Sequence, residues 1–214
     1  MEFNLKNTPI LIPAKGKSVR CPGKNITLLP YMSAYLHNEG LQGVVLSNDE
    51  KIRSLAELYG LKSWVEHRTE KDDDLSACRK YMATSPEELF FMLPLPQPFK
   101  HKGLLQEMLD MMDDDTDFVV TSHLVSDRSL FYVKNNKFLV PSKERKGCMC
   151  PEREMIDGTA YLIRKSFIEK VTCNEDFWSG RLKTVVNKAP FIDIDTEDDM
   201  AKFKFLIEYP QLKS

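Results

Sequence analysis

Short apolar runs and helix-patterned segments take turns along residues 8–122, and few folds bury both kinds of segment. The run "TPILIPA" (8–14) reads as a buried strand, bounded by prolines. A helical pattern around 30–39, "PYMSAYLHNE", stops at Gly40. "GVVLSN" (43–48) is a second strand, and "DEKIRSLAELYG" a helix with acids in its first turn and Gly60 at its end. "LKSWVEH" (61–67) is a third strand, 74–84 a helix, and "ELFFML" (88–93) a strand apolar enough to be buried on both faces. A helix over about 102–113 leads into "DFVVTS" (117–122), the fifth strand. The expectation is an α/β three-layer sandwich: a mainly parallel, Rossmann-like sheet with helices on both faces.

The alternation breaks after residue 123. "SLFYVKNNKFLVP" (129–141) has two strand-like runs joined by Asn135-Asn136, a hairpin turn, followed by the charged, irregular "SKERKGCMCPEREMIDG". Residues 124–156 are too few for a core of their own, so they form a small protruding excursion whose natural partner is a second subunit. "GTAYLIRK" (158–165) returns as a strand. "PFIDIDTEDDMAKFKFLIEYP" closes the chain as a strand, a tight acidic turn and a helix, with Thr196 and Asp199 spaced as a capping box. Met200, Phe203 and Ile207 make the apolar face of that helix.

Composition limits the partners. The net charge of -2 argues against broad nucleic-acid binding. No apolar run approaches the roughly 18 residues that would span a bilayer, and the first residues lack a signal-peptide pattern. Five dispersed cysteines suggest reduced thiols and a cytoplasmic setting. Cys148, Cys150 and Cys173 lack metal-knuckle spacing and read as incidental. His37, His67, His101 and His123 are scattered, with satisfied or surface roles expected.

Two stretches carry chemistry. Directly after the first strand, "IPAKGKSVRCPGKNI" puts Lys15, Lys17, Arg20 and Lys24 into one loop with two glycines. Glycines let backbone N–H groups approach an anion, and the cations compensate its charge. The spacing is not that of a Walker loop. A parallel sheet binds ligands beyond the carboxyl ends of its strands, where this loop lies. The second stretch is "DIDTEDD". Glu197, Asp198 and Asp199 suit a helix N-terminus, whereas Asp193 and Asp195 come too early for it. Alternating along a strand end, those two point the same way, and paired carboxylates suit Mg²⁺ together with phosphate oxygens.

These residues resemble the acylneuraminate cytidylyltransferases, the CMP-sialic acid synthetase family. The opening loop is similar to that family's Ile-Pro-Ala-Arg-Gly-Gly-Ser-Lys-x-Ile-Pro-x-Lys-Asn-Ile, and "FIDIDTEDDM" to its Asp-Ile-Asp-Thr-x-x-Asp. "VVLSNDEKIRSLAELYGL" and "DGTAYLI" resemble two intervening segments, so the similarity runs in order along nearly the whole chain. The resemblance implies one nucleotidyltransferase domain over 1–214, transferring CMP from CTP to a sialic-acid-like sugar acid with Mg²⁺ and releasing pyrophosphate. It implies a homodimer joined through the 124–156 arm. By position, Lys15 and Lys24 would be catalytic. Ala14, Gly16, Asn25 and Arg68 would contact the nucleotide, Lys100 and Tyr161 the acceptor, and Asp193 and Asp195 the metal.

Departures from the family pattern are local. Val19 stands where lysine is usual, and "LPLPQPFK" (93–100) replaces a Gln-Pro-Thr-Ser-Pro-Leu-Arg loop, with Lys100 at the arginine position. "RKGCMCP" replaces a segment containing arginine and glutamine. A catalytically quiet nucleotide-binding relative, or a sugar nucleotidyltransferase of different base or sugar specificity, are the alternatives.

Overall fold

The computed structural model describes residues 3–16, 18–67, 73–126, 132–134, 137–139, 152–172 and 174–208. The first half alternates as the sequence implies: β1 (Ile10–Pro13), α1 (Lys24–Asn38), β2 (Val44–Ser47), α2 (Glu50–Leu58), β3 (Lys62–Val65), α3 (Asp74–Met82), β4 (Leu89–Met92) and α4 (Leu104–Met111). Then come β5 (Phe118–Ser126), β6 (Tyr132–Lys134), β7 (Lys137–Leu139), β8 (Glu152–Arg164), α5 (Lys165–Ile168), α6 (Asn174–Trp178), β9 (Leu182–Val186) and α7 (Glu197–Glu208).

Seven strands make one sheet in the order β3-β2-β1-β4-β8-β5-β9, while β6 and β7 pair separately as an antiparallel hairpin. Within the seven-stranded sheet of the described residues, only β8 runs against its neighbours β4 and β5, and the other pairings in that sheet are parallel. Period-two alternation divides the core. Ile10, Ile12, Val45, Phe91, Val119 and Leu162 face one side, against α1, α2, α4 and α7. Leu11, Leu46, Phe90, Phe118, Val120 and Ile163 face the other, against α3, α5 and α6. The fold is thus the expected α/β sandwich with a mainly parallel sheet.

The fully buried Phe118 ring packs 4.4 Å from Phe177 and 5.8 Å from Phe167, centroid to centroid. Phe118→Ala is expected to lower stability by about 3–5 kcal/mol in urea denaturation. A loss below about 1 kcal/mol would show that this cluster does not hold the lower layer together.

The structure departs from these expectations at four points. Helix α1 starts at Lys24, not near Pro30, which lies inside it. Gly23, at φ +76°, turns the chain into the helix, and burial of Leu28, Leu29, Met32 and Leu36 offsets the hydrogen bond that Pro30 cannot donate. The segment 191–195 is not a strand: Ile194 N–H donates to Pro96 O at 3.0 Å, but no ladder forms. The edge strand β9 had no place in the sequence reading. The stem of the 124–156 excursion belongs to the sheet, because β5 and β8 stay paired from Ser122↔Ile156 to Ser126↔Glu152. Residues 127–131, 135–136 and 140–151, including the Asn135-Asn136 turn, Cys148 and Cys150, lie outside the described residues, as does Cys173. No helix among the described residues is long and apolar enough to cross a membrane.

Candidate functional site

The loop between β1 and α1 is held at both ends. Ala14 N–H continues the ladder to Leu46 O at 2.9 Å, so this donor is already used. Gly16 packs against the start of α2, where a Cβ would meet Asp49 Oδ2 at 2.6 Å and Asp49 Cβ at 2.7 Å; a side chain there would displace the loop. Asn25 Nδ2 donates to Lys15 O at 2.7 Å and ties the loop to the first turn of α1.

From that turn Lys24 reaches the far end of the chain. Its Nζ donates to Ile194 O at 2.8 Å and to Asp195 Oδ1 at 3.0 Å. Arg20 Nη2 takes the other oxygen, Asp195 Oδ2, at 2.9 Å. The two cations are not equivalent: the Lys24 side chain is 12% exposed, Arg20 70%. An exposed pair contributes little to stability and can exchange partners, whereas Lys24 is held by two acceptors in a partly dry setting.

Asp193 lies beside this pair and accepts from Gln97 Nε2 at 2.9 Å. Partial burial of its carboxyl, and then the charge of Asp195, hold Asp193 above the usual carboxylate range. Just beyond, Asp199 closes the foreseen capping box. Thr196 N–H donates to Asp199 Oδ2 at 3.1 Å, and Asp199 N–H donates back to Thr196 Oγ1 at 3.2 Å. The Thr196 hydroxyl and Lys202 pull Asp199 down to about 2. So Asp199 serves the helix, and Asp193 and Asp195 remain for other work. Among the described residues no three His, Cys, Asp or Glu side chains cluster as a metal cage. Two neighbouring carboxylates, one strained by the charge of the other, fit a Mg²⁺ that brings phosphate oxygens and water as its remaining ligands.

Lys15, Arg20, Lys24, Asn25, Pro96 and Asp195 line a cleft of about 430 Å³ beyond the carboxyl end of β1. In the sheet order this is where β2 and β4 diverge to either side of β1, the switch point at which such sheets bind ligands. Val19, 94% exposed, stands at its rim.

A second polar group adjoins the aspartates. Lys100 Nζ donates to Gln97 O at 2.7 Å and sits 5.9 Å from the Tyr35 ring centre. Enclosure pushes this ammonium down to about 7, against the opposing pull of Asp157. Tyr161 Oη lies against the backbone of Gly158, and burial, then Asp157 and Asp193, raise it to about 12. Asp157 itself is buried on β8, where its Oδ1 accepts from Thr121 Oγ1 of β5, and His123 stacks on Phe191 with centroids 4.4 Å apart.

Of the site residues named from sequence, Lys15, Lys24, Asn25 and Asp195 share the cleft and Asp193 adjoins Asp195; Ala14 and Gly16 shape its loop. Lys100 and Tyr161 fall in the neighbouring polar group, and Arg68 lies outside the described residues. Sequence reading did not select Gln97, His123 or Asp157. Asp157 stands in the quoted "DGTAYLI" and Gln97 in "LPLPQPFK", but no local spacing links either of them to His123.

The whole fold is shared with solved structures of low sequence identity. CMP:2-keto-3-deoxy-manno-octonic acid synthetase, solved with CTP, matches at TM-score 0.68 and 15% identity, over 94% of this chain and 98% of that one. HddC from Yersinia pseudotuberculosis matches at TM-score 0.64 and 17% identity, over 92% and 99%. The 4-diphosphocytidyl-2C-methyl-D-erythritol synthase from Anaerococcus prevotii matches at 0.62 and 14%, over 95% and 99%. No family model matches the chain. No curated protein matches it in sequence.

Proposed function

We propose that the chain is a cytidylyltransferase that moves CMP from CTP to a sialic-acid-like sugar acid and releases pyrophosphate. One observation carries this reading: Lys24, next to the glycine loop, is bonded to Asp195 from the other end of the chain, in a cleft at the switch point of the sheet. A triphosphate needs both cations and a place for its metal, and these are the groups assembled there. The resemblance of the opening and closing motifs adds the choice of CTP and of a sugar acid.

In the reaction, a hydroxyl oxygen of the acceptor attacks the α-phosphorus of CTP, its proton passes to solvent, and the bond to the β,γ-pyrophosphate breaks so that pyrophosphate leaves. Lys15 and Lys24 compensate the charge that spreads over the phosphate oxygens. The glycine loop lets backbone approach the triphosphate, Asn25 holds the loop in place, and Lys100 supplies a cation for the acceptor's carboxylate. Asp193 and Asp195 would hold Mg²⁺, which supplies further neutralisation of the triphosphate. Arg20 can leave Asp195 for the phosphates at small cost, because its ion pair is exposed.

The test is pyrophosphate release with CTP, Mg²⁺ and a panel of nonulosonic acids, each alone and in combination. Release only with both substrates is expected. Preference for UTP or ATP would remove the cytidine assignment, and CTP binding without release for any acid would favour a quiet relative.

The assembly is proposed as a homodimer joined through the 124–156 arm. Leu124 and Ile156, which share one face of the β5–β8 ribbon, are 51% and 44% exposed, an apolar pair suited to burial against a second copy. Deleting 129–150 is expected to halve the mass seen in sedimentation; a monomeric native chain contradicts the arm's role.

A further inference from the structure

The segment that carries Asp193 and Asp195 leaves the sheet at the end of β9 and makes no ladder of its own. Bonds to the loop after β4 hold it at two points. Near the aspartates, Ile194 N–H donates to Pro96 O at 3.0 Å and Gln97 Nε2 donates to Asp193 Oδ1 at 2.9 Å. The other point is built around Asn187, the first residue beyond β9 and 4% exposed. Its own N–H donates to Ser122 O at 2.8 Å, which fixes it to the sheet. Its side chain turns to the neighbouring loop, where Nδ2 donates to Phe99 O at 3.0 Å and Oδ1 accepts from His101 N–H at 3.3 Å. Oδ1 also accepts from Ala189 N–H at 3.2 Å, which sets the direction in which the aspartate segment departs.

His101 completes this joint. Lys188 N–H donates to His101 Nδ1 at 3.1 Å, so that nitrogen keeps its lone pair and the ring hydrogen belongs on Nε2, facing Glu107 Oε2 at 3.3 Å. The outer ion pair between Lys188 and Glu107 is exposed and contributes little. The buried Asn187 amide, bonded to both loops, carries the joint. Gln97 depends on it. Gln97 Oε1 is buried without a hydrogen-bond partner, so no second side-chain bond orients that amide. The aim of Nε2 at Asp193 then follows from where the backbone places residue 97, and Asn187 grips that backbone at Phe99 and His101.

We propose that Asn187 is a positioning residue for the metal site: through the 96–101 loop and Gln97 it fixes the Asp193 carboxylate where it can share a cation with Asp195. Asn187 does not itself line the cleft. This rests on the nucleotidyl-transfer reading, which supplies the metal and the triphosphate. Partners that orient metal ligands in this way typically change metal affinity or activity by about 10–100-fold.

Titration calorimetry on the full chain measures CTP binding with Mg²⁺ and in EDTA; the ratio of the two affinities is the metal's share. Asn187→Ala and Gln97→Met are each expected to cut that ratio about 10-fold, with binding in EDTA within about twofold of wild type. Because Asn187 acts through Gln97, the double variant should be little worse than the worse single one, whereas independent structural damage would multiply. Hydrogen exchange in Asn187→Ala should speed up over 96–103 and 188–195 and stay unchanged in β1 and α1. Phe99 still packs on Phe203, with ring centroids 5.5 Å apart, so the loop is expected to loosen without unfolding the chain. Should Asn187→Ala fail to fold, His101→Leu, which removes the acceptor of Lys188 N–H, replaces it with the same expected direction. Lys188→Met breaks only the exposed pair and should leave every readout within about twofold. An unchanged ratio in Asn187→Ala, or a double variant whose losses multiply, overturns the proposal. So does a wild-type chain that binds CTP equally well with and without Mg²⁺. If the variants behave as expected but no nucleotide yields pyrophosphate with any acid, the positioning role stands and the nucleotidyl-transfer reading falls.

Discussion

Replacing Lys24 by methionine is expected to lower kcat for the proposed pyrophosphate release by about 10²–10³, the usual loss when one preorganised charge-stabilising donor is removed from a transition state. The argument rests on how Lys24 is held. Its ammonium is fixed by Ile194 O and Asp195 at the mouth of the loop, and little of the side chain meets water. A charge fixed in a partly dry cleft needs no reorganisation when negative charge builds up, so its loss falls on kcat more than on KM. Methionine keeps the apolar stem in place, and Asp195 keeps Arg20 as its partner, so thermal stability should change little. Steady-state kinetics together with a melting curve decide it. Turnover within about threefold of wild type would remove Lys24 from the reaction.

Asp195→Asn is expected to cost at least about 100-fold in kcat and to abolish the dependence on Mg²⁺, since a metal contributes several kcal/mol to such a transition state. Binding without metal moves the other way. Asp195 faces the cleft, so removing its charge removes repulsion toward a triphosphate, and CTP measured in EDTA should bind as well as before or more tightly. A folding defect would weaken both properties, which separates the two causes. Because Lys24 and Asp195 are directly bonded, the double variant should be little worse than the more damaged single one. Unchanged turnover in Asp195→Asn sinks the metal-site assignment.

Elements with a strong local cause could be read early. β1, β2 and β4 are short apolar runs because both their faces are covered, and α2 begins where Asp49 accepts from Ile52 N–H. The Thr196–Asp199 box was legible because both partners sit within one turn. The start of α1 was not, because Pro30 is a local stop signal that burial of the surrounding leucines overrides. The strand expected at 191–195 failed for the opposite reason: its alternating residues look extended, but Ile194 N–H bonds to the loop carbonyl of Pro96 and no ladder forms.

The layered α/β plan, the loop of cations after the first strand and the acid pair ahead of the last helix are legible in the residues alone, because each follows from spacing along a few consecutive positions. Folding in three dimensions was needed to bring Lys24 onto Asp195, Gln97 onto Asp193, and His123 to 3.8 Å from Asp157. These are contacts between residues far apart in the chain. They are set by strand order and by the path of the returning strand β8, which no local periodicity encodes.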